Sequence, residues 1–228
     1  MYFKPHFDIL PFAQKFLWND LAPSKSLGFV LYGGTAVALQ LGHRQSVDFD
    51  FFTELPLDKK RIFNEFSFMS FATVIQDEVD SLSVIVPIKE DFVKISFFGA
   101  ITNGRFNDPL QTEDGVLYIA HLEDLLATKL KTVMQRVEVK DYQDISAMLK
   151  YGVDIDLALS IATKMYKPEF SPQLALKTIS YFEGGDFALL TQEDKNRLQQ
   201  ASSDAFNRDN YYQDISLEKH LLPLKTYG

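Results

Sequence analysis

Cysteine is absent from the 228 residues, which removes disulfides, thiolate nucleophiles and cysteine-ligated zinc from the chemistry open to this chain. Histidine is scarce. Its four copies do not fall at the close spacing of a zinc site such as His-Glu-x-x-His. No run of about 18 apolar residues suggests a membrane span, and MYFKPHFDIL at the start lacks a signal-peptide pattern. The expectation is a soluble, cytoplasmic protein with no membrane partner. Basic residues are in deficit too: 23 Lys and Arg against 31 Asp and Glu leave a formal net charge of −8. That argues against broad non-specific nucleic-acid binding, which relies on a basic field. A local basic patch gripping an RNA end stays open. Internal repeats and low-complexity segments are also missing.

What is present is apolar and aromatic. A hydrophobic content of 46% with 20 Phe supports a sizeable core, in one large or two small domains. The chain is organised around Leu31 to Thr53, LYGGTAVALQLGHRQSVDFDFFT. This reads as a strand end, a glycine turn, a short helix opened by Thr35, a basic link and a second strand. Side chains alternate along a strand, so Asp48 and Asp50 share one face while Val47, Phe49 and Phe51 share the other. Two neighbouring carboxylates repel each other, and strand propensity does not favour Asp. A cation joining them accounts for the pattern. Mg²⁺ fits, because it is held by one or two carboxylates together with substrate phosphates. Gly33 and Gly34 let the backbone approach a ligand closely, and the helix N-terminus at Thr35 suits phosphate oxygens. In the linking segment, the fork of Arg44 matches a phosphate or an Asp carboxylate.

Before this stretch, Ile9, Leu10, Ala13, Phe16 and Leu17 recur at helical spacing over residues 7–20, and Pro23 breaks the pattern. Residues 28–32 form a buried strand. After Thr53, KKRIFNEF reads as a short helix, and ATVIQDE, SLSVIVP and DFVKISFF as consecutive antiparallel strands, with 116–119 adding one more. From His121 the period changes to about 3.6. Helices are expected near 121–136, 140–150, 155–166, 171–182 and 192–206, punctuated by Gly152, Pro168 and Gly184-Gly185. The fold expected is α+β: a mixed or antiparallel sheet with flanking helices over 1–120, then a helical bundle over 121–228 that completes the cleft.

A second constellation lies on the helix from His121. Leu122, Leu125, Leu126, Leu130 and Val133 form one stripe, with Lys129 in its middle and Lys131 on the solvated side. A lysine centred on an apolar face either snorkels to the rim or meets a buried anion. KDYQD then opens the next helix, where Asp141 suits the dipole and Lys140–Asp144 is an i,i+4 pair.

GGT followed by LGHRxSxDFDFF resembles the nucleotidyltransferase signature of the AbiEii/AbiGii toxin family, within the wider DNA polymerase β-like nucleotidyltransferase fold. The resemblance is dense from Leu31 to Thr53, returns over Lys129–Asp144 and covers most of the chain more loosely. It implies an enzyme moving a nucleotide from an NTP to a tRNA or RNA end or a protein hydroxyl, with Mg²⁺ on Asp48 and Asp50. Its second motif, resembling K…R…KDxxD, matches Lys129, Arg136, Lys140, Asp141 and Asp144. In the family such residues bind nucleotide or complete the active site. Lys129 and Asp144 are the expected catalytic members, and Arg136, Lys140 and Asp141 nucleotide contacts. The resemblance also implies a toxin–antitoxin or phage-defence setting with a DNA-binding antitoxin.

One departure matters. Most polymerase β-like transferases carry a third carboxylate on a later strand. In FVKISFF the inward position is Ser96, or Lys94 in the other register, and neither replaces a carboxylate. The alternatives are a nucleotide-binding module without transfer activity and a structural antitoxin-binding partner.

Overall fold

The computed structural model describes residues 1–183, 186–209 and 211–223. Gly184-Gly185, read from sequence as a helix break, lie outside the described residues. The chain divides into two compact units. The first comprises Met1–Gly104, Asp108–His121 and, among the described residues, 218–223. Arg105–Asn107 and, among the described residues, 122–217 make the second.

The first unit is built on one sheet. Its strands are β1 (Tyr2–Phe3), β2 (Val30–Tyr32), β3 (Asp48–Phe52), β4 (Thr73–Glu78), β5 (Ser81–Ile88), β6 (Asp91–Phe98), β7 (Leu110–Thr112) and β8 (Tyr118–Ile119). Their order is β1-β7-β8-β2-β3-β6-β5-β4. The sheet is mixed: β2–β3, β4–β5, β5–β6 and β7–β8 run antiparallel, while β3–β6, β2–β8 and β1–β7 run parallel. β4, β5 and β6 form the antiparallel meander that their spacing and turn residues predict. β1 and β7, two and three residues long, are too short to show a period and were not anticipated.

One sheet face is an aromatic core. Phe49, Phe51 and Phe97 are fully buried. Phe97 packs its ring against Phe29, Phe51 and Phe66 at centroid distances of 5.3, 5.7 and 5.1 Å. A fully buried side chain of this size contributes about 1.5–3 kcal/mol, so this face anchors β3 and β6. Val47 does not join it. It precedes the strand and is 51% exposed, so the alternation begins one residue later than expected.

The N-terminal helix also differs from its pattern. Pro11, with no N–H to donate, interrupts residues 7–20. A 3₁₀ turn at Phe7–Ile9 precedes it, followed by α1 (Phe12–Leu17), a second 3₁₀ turn (Trp18–Leu21) and α2 (Pro23–Ser26). Phe16, assigned to the buried stripe, is 60% exposed, and Gln14 is buried instead. The Gln14 amide donates to the Val47 carbonyl and so holds the approach to β3. α3 (Gly33–Leu41) and α4 (Lys59–Glu65) complete this unit.

The second unit is helical: α5 (Leu122–Val133), α6 (Val139–Tyr151), α7 (Ile155–Met165), α8 (Pro172–Ile179) and α9 (Gln192–Arg208). Local chemistry sets its boundaries. Asp154, Ser171 and Thr191 cap α7, α8 and α9 through their side chains, satisfying N–H groups that the first helical turn leaves unpaired. α6 ends on Gly152 in the left-handed region at φ 98°, a common helix terminator. Asp124 of α5 accepts from the Phe106 and Asn107 backbone N–H groups at 2.6 and 3.0 Å, which ties 105–107 to this unit.

Candidate active site

The sheet face opposite the aromatic core carries the first group of residues. Phe49 and Phe51 anchor one side of β3, so Asp48 and Asp50 emerge together on the other, both partly exposed. β2, ending at Tyr32 opposite Asp50, leads straight into the glycine turn. Gly33, rather than Thr35, opens α3, and it does so at φ 75°. A Cβ at Gly33 would lie 2.7 Å from Asp50 Oδ2. Only glycine lets the backbone come so close to this carboxylate.

Thr35 faces inward. It is buried, its hydroxyl donates to the Asp48 carbonyl, and it shares a 2.8 Å hydrogen bond with Ser46. The side chain is thus a strut between α3 and β3, which leaves only the first-turn N–H of α3 for an outside anion. Ser46 was not singled out from the sequence. Its position two residues before Asp48 gave no chemical signal. The Arg44 guanidinium donates to the Gln45 carbonyl at 2.8 Å and is partly exposed beside the same link.

The β3–β6 register places Lys94 beside Asp48 and Ser96 beside Asp50. Lys94 and Ser96 have the same parity, so both stand on the carboxylate face. They are therefore not alternatives belonging to different registers, contrary to the expectation from the sequence. Ser96 is 1% exposed, and its hydroxyl pairs with that of buried Ser83 at 3.1 Å. Lys94 is partly exposed.

A divalent ion fits this donor set. The two carboxylates emerge on one face of the strand, with the bare backbone of Gly33 against Asp50. Among the described residues, no cluster of three or more His, Cys, Asp and Glu could hold a metal. Two carboxylates, with the remaining positions left to phosphate and water, is how Mg²⁺ is commonly bound at nucleotide sites.

The second group lies in the helical unit. Lys129, 6% exposed, has its ammonium 2.7 Å from Asp141 and 2.6 Å from Asp144, both fully buried. Helix α5 stops at Val133, and Arg136 in the following loop donates to Asp141 at the start of α6 through Nε (2.9 Å) and Nη2 (3.3 Å). Burial pushes the Asp141 carboxyl upward, but the Lys129 charge and the Arg136 hydrogen bond outweigh it and hold the group below the usual carboxylate range. Lys140 points elsewhere and pairs with Glu138 at 2.9 Å. Lys131 is less solvated than expected: it donates to the Glu169 carbonyl at 3.0 Å, with its side chain only 14% exposed.

Comparison with known proteins adds the family. The profile described as "Nucleotidyl transferase AbiEii toxin, Type IV TA system" matches residues 15–213. An uncharacterized protein of Aquifex aeolicus (strain VF5) is 32% identical over 159 residues, spanning 68% of this chain and 74% of that protein. Two solved structures share the fold at 14% identity. One, a candidate nucleotidyltransferase from H. pylori, superposes with a TM-score of 0.55 over 88% of this chain and 96% of its own. The other is MenT4, a nucleotidyltransferase toxin from Mycobacterium tuberculosis H37Rv, with a TM-score of 0.52 over 86% of this chain and 85% of its own.

Proposed function

The chain belongs to the AbiEii nucleotidyl transferase toxin family, and from that premise we propose that it transfers a nucleoside monophosphate from an NTP to an acceptor hydroxyl. The acceptor is a tRNA or other RNA end, or a protein side chain. The acceptor oxygen forms a bond to the α-phosphorus as the bond from that phosphorus to the α–β bridging oxygen breaks. The bonding electron pair leaves with pyrophosphate, and the hydroxyl proton passes to water. One observation carries this reading: Asp48 and Asp50 emerge on one face of β3, with the backbone of Gly33 against Asp50.

Asp48 and Asp50 would hold Mg²⁺, which when bound neutralises phosphate charge and fixes the triphosphate. Gly33, Gly34 and the Thr35 N–H cradle phosphate oxygens at the start of α3. Arg44 supplies a further cation. Lys129 serves with Asp144 in the transfer, and Arg136, Lys140 and Asp141 serve nucleotide binding. These roles are carried over from the family motif. The ion pairs around Lys129 support a held, oriented ammonium rather than a mobile one.

Each α-³²P-labelled NTP, incubated with Mg²⁺, total RNA and the protein, tests the reading. Label should move onto RNA or protein with the native chain. It should fall by at least about 100-fold with Asp48→Ala/Asp50→Ala, while the thermal midpoint drops little. Equal labelling by both proteins would overturn it. Ser96 beside Asp50 favours a second reading, nucleotide binding without transfer, which predicts Mg²⁺-dependent NTP binding but no labelled product. Family membership extends the proposal to a cytoplasmic toxin with a DNA-binding antitoxin as partner. Induced expression should then arrest growth with the native chain and spare it with the double variant.

A further inference from the structure

We propose that Lys94 is a catalytic residue: its ammonium takes the place of a second divalent ion at the attacking oxygen, so the centre works with a single metal. The inference rests on the transfer reading above and concerns how that site is completed.

The sheet order carries the argument. β3 lies between β2 and β6. On the β2 side the chain leaves Tyr32, opposite Asp50, and enters the turn at Gly33 that starts α3. Lys94 is level with Asp48 on the β6 side, Ser96 with Asp50. The glycine turn and Lys94 therefore flank the two carboxylates from opposite sides. Phosphoryl-type displacement runs in line, with attacking and leaving oxygens on opposite sides of phosphorus. With the departing pyrophosphate at the N-terminus of α3, the attacking hydroxyl approaches from the β6 side.

A two-metal site needs a further anion on that side. β6 offers a buried serine already hydrogen-bonded to Ser83, and a lysine. The lysine's cross-strand neighbour on β5 is apolar Ile85, so directly opposite it the only charged side chain is Asp48. Lys94 and Asp48 nevertheless form no ion pair within 4.0 Å, and among the described residues Lys94 has no other ion-pair partner. Both charges are partly exposed and both remain available to a ligand. An ammonium here repels a second dication. It also donates a hydrogen bond to the negative charge that develops on the attacking oxygen, the contribution that dominates such transfers. The ammonium keeps its protons throughout, and the hydroxyl proton goes to water as before.

The test counts bound metal and measures rate separately. Mn²⁺ binding to the full chain is followed by electron paramagnetic resonance in the presence of a non-hydrolysable α,β-methylene NTP. One Mn²⁺ per chain is expected for the native protein and for Lys94→Met, and a second for Lys94→Asp. Labelled transfer by Lys94→Met should fall about 100-fold in kcat with the KM for NTP within about threefold, while Lys94→Arg recovers part of the loss. A thermal midpoint close to native would establish that Lys94→Met folds. Two Mn²⁺ on the native chain, or an unchanged kcat in Lys94→Met, would overturn the role of Lys94. No Mn²⁺ on the native chain would instead overturn the underlying metal-dependent reading, and this inference with it.

Discussion

Lys129 shows at the residue scale what a buried charge demands. Its ammonium is sealed between Asp141 and Asp144, and removing it would take a shared cation from two buried carboxylates, with Arg136 still paired to Asp141. Lys129→Met should therefore cost about 3–5 kcal/mol in urea unfolding, more than its lost packing explains. The acid response follows from Asp141. Its folded pKa lies below the unfolded value, so its stabilisation is fully present above that unfolded value, near 3.9. It is lost as pH falls through the lower folded value. The urea midpoint should change little from pH 7 to 5 on this account and fall below about pH 4, with a shallower fall in Asp141→Asn. The lysine's anomaly was legible, because a cation in the middle of a leucine stripe needs an explanation. Its partners were less so: they lie 12 and 15 positions away, beyond a loop, and the same KDYQD run also reads as an ordinary solvated first turn.

Among the elements, the β2–α3 turn is the most constrained. Gly33→Ala meets both a left-handed φ and a Cβ 2.7 Å from Asp50 Oδ2. Gly152→Ala meets the φ of 98° alone, with nothing within 4 Å of the added carbon. The pair separates strain from collision. Each should lose about 1 kcal/mol from backbone strain, read as a lower thermal midpoint, while only Gly33→Ala should also weaken Mn²⁺ binding by displacing the carboxylate. Elements with a long period or clear turn residues were readable from sequence, as β4–β6 and the five long helices are. The failures have local causes. Pro11 breaks a helix whose hydrophobic spacing runs on through it, and Val47 has a core residue's chemistry but precedes the strand that would have turned it inward. The shared face of Lys94 and Ser96 needed only the period of two, yet the significance of Lys94 appeared only when the β3–β6 register set it beside Asp48.

On the scale of the whole molecule, the change of period near His121 was visible because alternation gives way to a spacing of about 3.6. The return of the chain to the first unit was not. Residues 207 onward read as polar and Tyr-rich, and nothing in them announces that Leu221 is 1% exposed. The Leu221 N–H donates to the Glu54 carboxylate at 3.2 Å, and the Glu218 carbonyl lies 2.2 Å from where a Cβ on Gly104 would sit. Leu221→Ala should cost about 2–3 kcal/mol, and Gly104→Ala should push this segment away. Faster amide hydrogen exchange at Leu221 and earlier proteolytic cleavage around residues 218–223 would register both effects.

That return also orders events in time. The last strand of the sheet, β8, ends at Ile119, whereas the segment that closes over Gly104 begins at Glu218. Roughly 100 residues are made in between, which at about 5–20 residues per second occupies some 5–20 s of translation. Throughout that interval every strand of the sheet, β3 with Asp48 and Asp50 included, has been made without the segment that packs on Gly104. The first unit is therefore completed only after the whole helical unit has been translated.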